Sequence, residues 1–220
     1  MLATAPKPLI VMAPQESGFV TLRRANRVPD VPCTTPDTWT DLLALIRTLG
    51  DSEFDTIGFD AIGGFEHLCK AHVMQRDFDN QETKYQSFGR GNATLAAEWM
   101  VLLSALEGLA ASKTVILASH VEISNFSNPD GENYSRFVGD TNKNVWAATK
   151  RWADAVLFGT FFSTVEDGKG HGGTTRIVYT EHRATHDAKN RYGMPPMIQI
   201  PDDPNAVYGS IFAHINKDSK

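Results

Sequence analysis

Three short apolar runs constrain the fold most. They are Leu9–Ala13 (LIVMA), Thr56–Ile62 (TIGFDAI) and Thr114–Ser119 (TVILAS). Each is rich in β-branched residues and flanked by polar or turn residues, which marks a strand. Continuous runs, rather than alternation, fit a parallel sheet covered on both faces. A fourth run, Ala155–Phe162 (AVLFGTFF), is also strand-like.

Helical patterns lie between the runs. Thr35-Pro36-Asp37 predicts a helix start, with Thr as N-cap, Pro at the first helical position and an acid near the positive helix end. Leu42, Leu43, Ile46 and Leu49 then recur at helical spacing, and Gly50 supplies a stop. Leu95, Trp99, Leu102, Leu103, Leu106 and Leu109 predict a longer helix with one apolar face. Val145, Ala148 and Trp152 predict another. Strand and helix in alternation imply right-handed crossovers and an α/β sandwich.

The chain has 220 residues, which favours one domain over residues 1–220. A net charge of -5 argues against a broad, non-specific grip on nucleic acid and leaves room only for a local basic loop. Cys33 and Cys69 fit no zinc spacing and read as reduced thiols. The apolar run near the N-terminus is too short to span a membrane and lacks the basic start of a signal peptide. The expectation is a cytoplasmic protein with no membrane partner.

Beyond Phe162 the pattern changes. Glu166–Thr175 (EDGKGHGGTT) is Gly-rich and separates two strand-like stretches, which predicts a C-terminal β-hairpin. Asn125–Gly139 has no apolar period and reads as a mobile surface loop.

Polar residues at strand ends carry the candidate chemistry. Asp60 closes the second run as I-G-F-D, His120 follows the third as A-S-H, and Glu16 follows the first as A-P-Q-E. A carboxylate at the carboxyl end of a parallel strand sits where α/β sheets bind ligands. His120 can sense a phosphate or orient a water, and Glu16 can activate a water. Taken singly, each also reads as a turn or capping residue. If the three strands are neighbours, all three side chains reach one sheet edge. Asp187–Gly193 (DAKNRYG) places two cations around one Asn, either as a phosphate contact or as a solvated basic turn.

Other clusters carry less. Glu66, His67, Cys69 and His72 share a helical stretch, but His67 and His72 do not share a helical face. His182 and His186 do not form H-E-x-x-H. Trp39, Trp99, Trp146 and Trp152 read as core or helix-packing residues.

In combination, FDTIGFDAI, FGRGNATLAAEW, TVILASH, RWADAVLF and YTEHRATHDAKNRYGMP resemble the phage AAA-type ATP-binding proteins. Those are RecA-like proteins associated with DNA recombination and single-strand annealing. The resemblance runs from the first strand to Pro195. It implies a three-layer RecA-like P-loop NTPase sheet with ATP and Mg2+ as cofactors. It implies Asp60 on the magnesium side, through water, Glu16 as the water-activating residue and His120 as the polar sensor. Lys189 and Arg191 match the element that reaches ATP on a neighbouring subunit, which implies a homo-oligomer. The stretch from Val121 to Asn142 matches a loop that contacts single-stranded DNA, where Phe126, Tyr134, Arg136 and Lys143 supply stacking faces and charge. The implied setting is the cytoplasm of a phage-infected or prophage-carrying bacterium.

One departure stands out. No G-x-x-x-x-G-K-[ST] spacing occurs in the 220 residues. GKGHGG at Gly168–Gly173 has the wrong order and reads as a hairpin tip. The backbone amides and Lys of that loop are what cradle phosphates. The expectation is an N-terminally truncated domain, lacking the family's first strand, P-loop and first helix. A gene start set too far downstream or a fragment is favoured. A loop supplied by another chain, or a copy that no longer uses ATP, are the alternatives. On the last, the chain is a nucleotide-independent binding or scaffold module on the same fold.

Overall fold

The apolar runs beginning at Leu9, Thr56 and Thr114 become neighbouring parallel strands. The computed structural model describes residues 1–166 and 169–215, with side chains given outside 164–171. It divides into two compact units. The sheet unit takes Leu2–Val121 and Gly139–Trp152. Its elements are β1 (Pro8–Met12), α1 (Gly18–Arg24), β2 (Cys33–Thr34), α2 (Trp39–Leu49), β3 (Thr56–Asp60), α3 (Ile62–Phe78), α4 (Glu82–Gln86), α5 (Arg90–Ala110), β4 (Thr114–Leu117) and α6 (Lys143–Trp152).

The sheet order is β2-β1-β3-β4, all parallel. The register aligns Met12 with Asp60 and Phe59 with Leu117. Leu9, Val11, Ile57 and Phe59 join the main core with Trp39, Leu42, Ile46, Phe65, Leu95, Trp99, Leu103 and Leu106 from the helices. On β1, Ile10 and Met12 pack instead with Ala3 and Phe19. Burial on both sides explains why β1 shows a continuous apolar run. β4 differs from that expectation: it is an edge strand and all four of its residues are only half-buried.

The two buried indoles of the core are each hydrogen-bonded. The Trp39 and Trp99 rings stack at 6.0 Å. Trp39 Nε1 donates to Glu98 Oε1 at 2.7 Å, and Trp99 Nε1 donates to Thr149 Oγ1 at 2.8 Å. Trp146 and Trp152 pack half-buried against the same core. α2 starts later than its sequence suggests. Its N-cap is Thr38, whose hydroxyl accepts from the Asp41 amide at 3.1 Å, so Thr35-Pro36-Asp37 is approach rather than helix. The helix ends at Leu49 with Gly50 following, as its spacing predicts. By length and composition, the stretch Glu82–Ala110 is apolar enough to cross a membrane. In this fold it contains α5, whose buried face Leu95, Trp99, Leu102, Leu103, Leu106 and Leu109 is part of the core.

The C-terminal unit takes Glu122–Val138 and the chain from Ala153 onward, together with Met1. It contains most of β5 (Val121–Phe126) and β6 (Tyr134–Gly139), then β7 (Ala155–Val156), β8 (Phe158–Glu166), β9 (Lys169–Tyr179), β10 (Lys189–Asn190), β11 (Met197–Gln199) and α7 (Val207–Phe212). β5 and β6 form a two-stranded ribbon where the sequence reads as a mobile loop. The ribbon residues are mostly exposed or half-exposed, so no buried face imposes an apolar period. Cross-strand contacts hold it instead: Ser135 Oγ donates to Asn125 Oδ1 at 3.1 Å, and the Phe126 and Tyr134 rings lie 5.1 Å apart.

The run Ala155–Phe162 splits in two, because β7 pairs with β10 while β8 pairs with β9. β8 and β9 are antiparallel, with Glu166 opposite Lys169 and a register shift between Phe161 and Ser163. Asp167 and Gly168, at the tip of the expected hairpin, lie outside the described residues. β11 extends this sheet beyond β9.

Candidate active site at the carboxyl edge of the sheet

Because β1, β3 and β4 are adjacent and parallel, the three strand-end polar residues meet at one edge. β1 and β3 are joined past Met12 by the Ala13 amide, which donates to Asp60 O at 2.8 Å. The chain then turns sharply: Gln15 takes a positive φ of 71°, and the Glu16 amide donates to Ala13 O at 3.1 Å. That turn folds Glu16 back toward the sheet. Beyond β4, the Ala118 amide donates to Phe59 O at 2.8 Å, and the Ile62 amide donates to Ala118 O at 2.9 Å. These bonds fix the backbone leading into His120.

His120 Nε2 lies 3.5 Å from Glu16 Oε1, a pairing that becomes an ion pair when the imidazole is protonated. β3 runs between the strands that carry them, so Glu16 and His120 bracket Asp60. Burial raises the Asp60 carboxyl above the usual carboxylate range, and the Glu16 charge raises it further; His120 pulls the other way. The edge thus concentrates negative charge around a half-buried carboxylate, which is the environment a hydrated divalent cation relieves. Among the described residues, no group of three or more His, Cys, Asp or Glu is placed to hold a metal ion directly. No phosphate cradle accompanies this edge in the sequence, which has no G-x-x-x-x-G-K-[ST].

Two further features border this edge. Glu66, in the second turn of α3, accepts from the Asn142 amide at 2.8 Å. Burial raises its carboxyl too. The Asp140 amide donates to His120 O at 2.9 Å. Sequence reasoning set Glu66 beside His67, Cys69 and His72. The fold separates them: Cys69 is buried, with Sγ 4.0 Å from Leu95 O, and its thiol is pushed far up by burial. His72 instead neighbours Arg76 at 3.3 Å. No sequence signal linked Glu66 to Asn142, because the contact spans 76 positions.

Lys189 and Arg191 lie in the C-terminal unit on and beside β10. Lys189 Nζ donates to Ala153 O, and burial, then the Arg191 charge, lowers its ammonium below the usual lysine range. Arg191 Nη1 pairs with Asp154 Oδ1 at 2.9 Å, and Tyr192 donates its hydroxyl to the other Asp154 oxygen at 3.1 Å. Both cations are thus engaged within their own unit.

Of the expected nucleic-acid contacts, Phe126, Tyr134 and Arg136 share the ribbon, whereas Lys143 opens α6 in the sheet unit. Arg136 is only 10% exposed and pairs with Asp187, itself 5% exposed, while its guanidinium covers the Phe126 ring at 5.3 Å. Its charge is engaged inside the unit rather than presented to a phosphate. That pairing requires Asp187 to fold back from the strand, a contact between distant segments that local sequence does not display.

A parallel sheet with a helix-covered face and ligand-type residues at its carboxyl edge is an α/β arrangement that binds ligands beyond its strand ends. Residues 1–192 match the family model described as an AAA domain, and the chain belongs to that family of AAA/P-loop-type ATPases. No curated protein matches the chain.

Proposed function

We propose that the chain is a RecA-like ATP-binding protein acting in DNA recombination or single-strand annealing, whose sheet unit carries the magnesium and water side of the nucleotide site. The convergence of Glu16, Asp60 and His120 on one sheet edge carries this reading. Bound Mg2+ would supply charge neutralisation for a transferring phosphate. Asp60 would hold it through water. Glu16 would take the proton of the attacking water, with His120 at 3.5 Å fixing the carboxylate. Lys189 and Arg191 would act on the nucleotide of a neighbouring copy, exchanging Ala153 O and Asp154 for phosphate oxygens, which makes the working form a homo-oligomer. On the ribbon of the C-terminal unit, Phe126 and Tyr134 would offer stacking faces for single-stranded DNA; Lys143, on the sheet unit, would add charge by itself. The setting proposed is the cytoplasm of a phage-infected or prophage-carrying bacterium.

One observation favours a second reading. The missing G-x-x-x-x-G-K-[ST] removes the main anchor for ATP phosphates. On this reading the chain is a nucleotide-independent binding or scaffold module. Single-stranded DNA binding with and without magnesium and ATP, on this chain and on Asp60→Ala, separates the two. Binding that responds to nucleotide and loses the response in Asp60→Ala supports the first. Binding indifferent to nucleotide supports the second.

A further inference from the structure

The turn Gly139–Asn142 is fastened at both ends to the candidate site's surroundings. At one end the Asp140 amide donates to His120 O at 2.9 Å, and Thr141 closes on Gly139 O at 2.9 Å. At the other, Asn142 is a junction. Its amide donates to Glu66 Oε2 at 2.8 Å and its side-chain Nδ2 donates to Asn92 Oδ1 at 3.1 Å. Its Oδ1 accepts from the Asn144 amide at 3.0 Å, which starts α6. Two glycines allow the close approach. Asp140 O lies 3.1 Å from where a Cβ on Gly63 would sit, and a Cβ on Gly139 would run into the Trp146 ring.

Glu66 supplies the one charged group in this set of bonds. A carboxylate accepting a backbone amide is the stronger, charge-assisted kind of hydrogen bond. Glu66 is half-buried, and the groups that act on it are the Asn142 amide, His67, Asp140 and Lys70. Keeping a carboxylate there works against burial and against Asp140. A well-placed amide offsets that cost.

We propose that Glu66 is a positioning residue: by clasping Asn142 it holds the Gly139–Asn142 turn, and the turn holds the backbone of His120 opposite Glu16. Its functional meaning rests on the site reading given above, but the mechanical claim does not. Glu66 need not touch nucleotide or water. Its effect reaches the site through two hydrogen bonds and one turn.

Amide hydrogen exchange and NMR on the full chain test this without any nucleotide. In Glu66→Ala, protection of the Asp140 and Asn142 amides is expected to fall about tenfold to a hundredfold, the effect of losing a hydrogen bond to a charged group. The His120 ring resonances are expected to shift, while the amides of β1 and β3 keep their protection. Glu66→Gln retains an acceptor oxygen and is expected to restore most of both signals. Unchanged protection at Asp140, or unmoved His120 resonances, overturns the proposal. So does protection lost across β1 and β3 in Glu66→Gln as well, which would make Glu66 a general packing residue. If the clasp behaves as described yet Asp60→Ala leaves nucleotide binding unchanged, the site reading fails and the positioning role stands.

Discussion

Replacing Gly64 with alanine is expected to push α3 away from β1 beside the candidate site. Gly64 is the third residue of α3, and a Cβ built on it would approach Ala13 Cβ to well under 3.0 Å. Carbon atoms in contact need about 3.5–4.0 Å, so the two backbones must separate by roughly 1 Å. Neither methyl has a rotamer that relieves the clash. Overpacking of this kind costs about 1–3 kcal/mol, and two backbone-anchored atoms put it near the upper end. Better helix propensity returns up to about 1 kcal/mol, which leaves a net loss of about 2 kcal/mol. For a chain of this size that corresponds to a fall in Tm of about 4–8 °C. With Ala13→Gly added, the nearest remaining atoms, Ala13 Cα and Pro14 O, stand at 3.8 Å, which is ordinary contact. The double variant is therefore expected to be up to about 1 kcal/mol more stable than Ala13→Gly alone, a coupling of about 3 kcal/mol. Urea unfolding followed by tryptophan fluorescence reads the correct unit, because all four tryptophans lie in the sheet unit. A Gly64→Ala variant as stable as the parent, or strictly additive losses in the pair, would refute the close packing of α3 on β1.

Three further outcomes follow from the same contacts. His186 stacks between Phe158 and Tyr179 at 4.5 and 4.7 Å, and burial first, then nearby Arg183, His182 and Arg136, hold its imidazole below the usual range. The unfolded chain takes up that proton below about pH 6.5 while the fold resists it, so stability present at neutral pH is lost as pH falls from there toward the folded value. His186→Phe is expected to flatten that acid limb in unfolding measured by near-ultraviolet circular dichroism, and an unchanged slope counts against it. Asp60→Asn removes a carboxylate that burial and Glu16 both disfavour, so the unfolding midpoint at pH 7 should hold or rise; a clear fall would mean that Asp60 has a stabilising partner. Thr149→Val strands the buried Trp99 indole N–H and should cost about 1–3 kcal/mol, whereas Thr149→Ser should not; equal losses would place the effect in packing instead.

Local pattern carried the sheet unit well. The runs from Leu9 and from Thr56 were legible because β1 is apolar on both faces and β3 buries Ile57 and Phe59 in the main core, and burial leaves its mark in composition. The helix from Arg90 to Ala110 was legible from its leucines for the same reason. The ribbon Val121–Gly139 was not, because strands exposed on a surface carry no apolar period. Thr38 displaced Thr35 as the cap of α2 because capping depends on backbone angles that both threonines allow in sequence. At the site, strand-end residues were visible one at a time, and only the strand order brought them together. Glu66 and Asn142, and likewise Arg136 and Asp187, meet through chain reversals that leave no local signal.

The most direct test of the account is equilibrium binding of a fluorescent ATP analogue with magnesium, on this chain and on Asp60→Ala. Saturable binding that Asp60→Ala weakens at least tenfold, the loss of about 1.4 kcal/mol, is the expected result and would assign the carboxyl edge of the sheet to the nucleotide. No saturable binding up to millimolar analogue, or binding equal in both proteins, would contradict it.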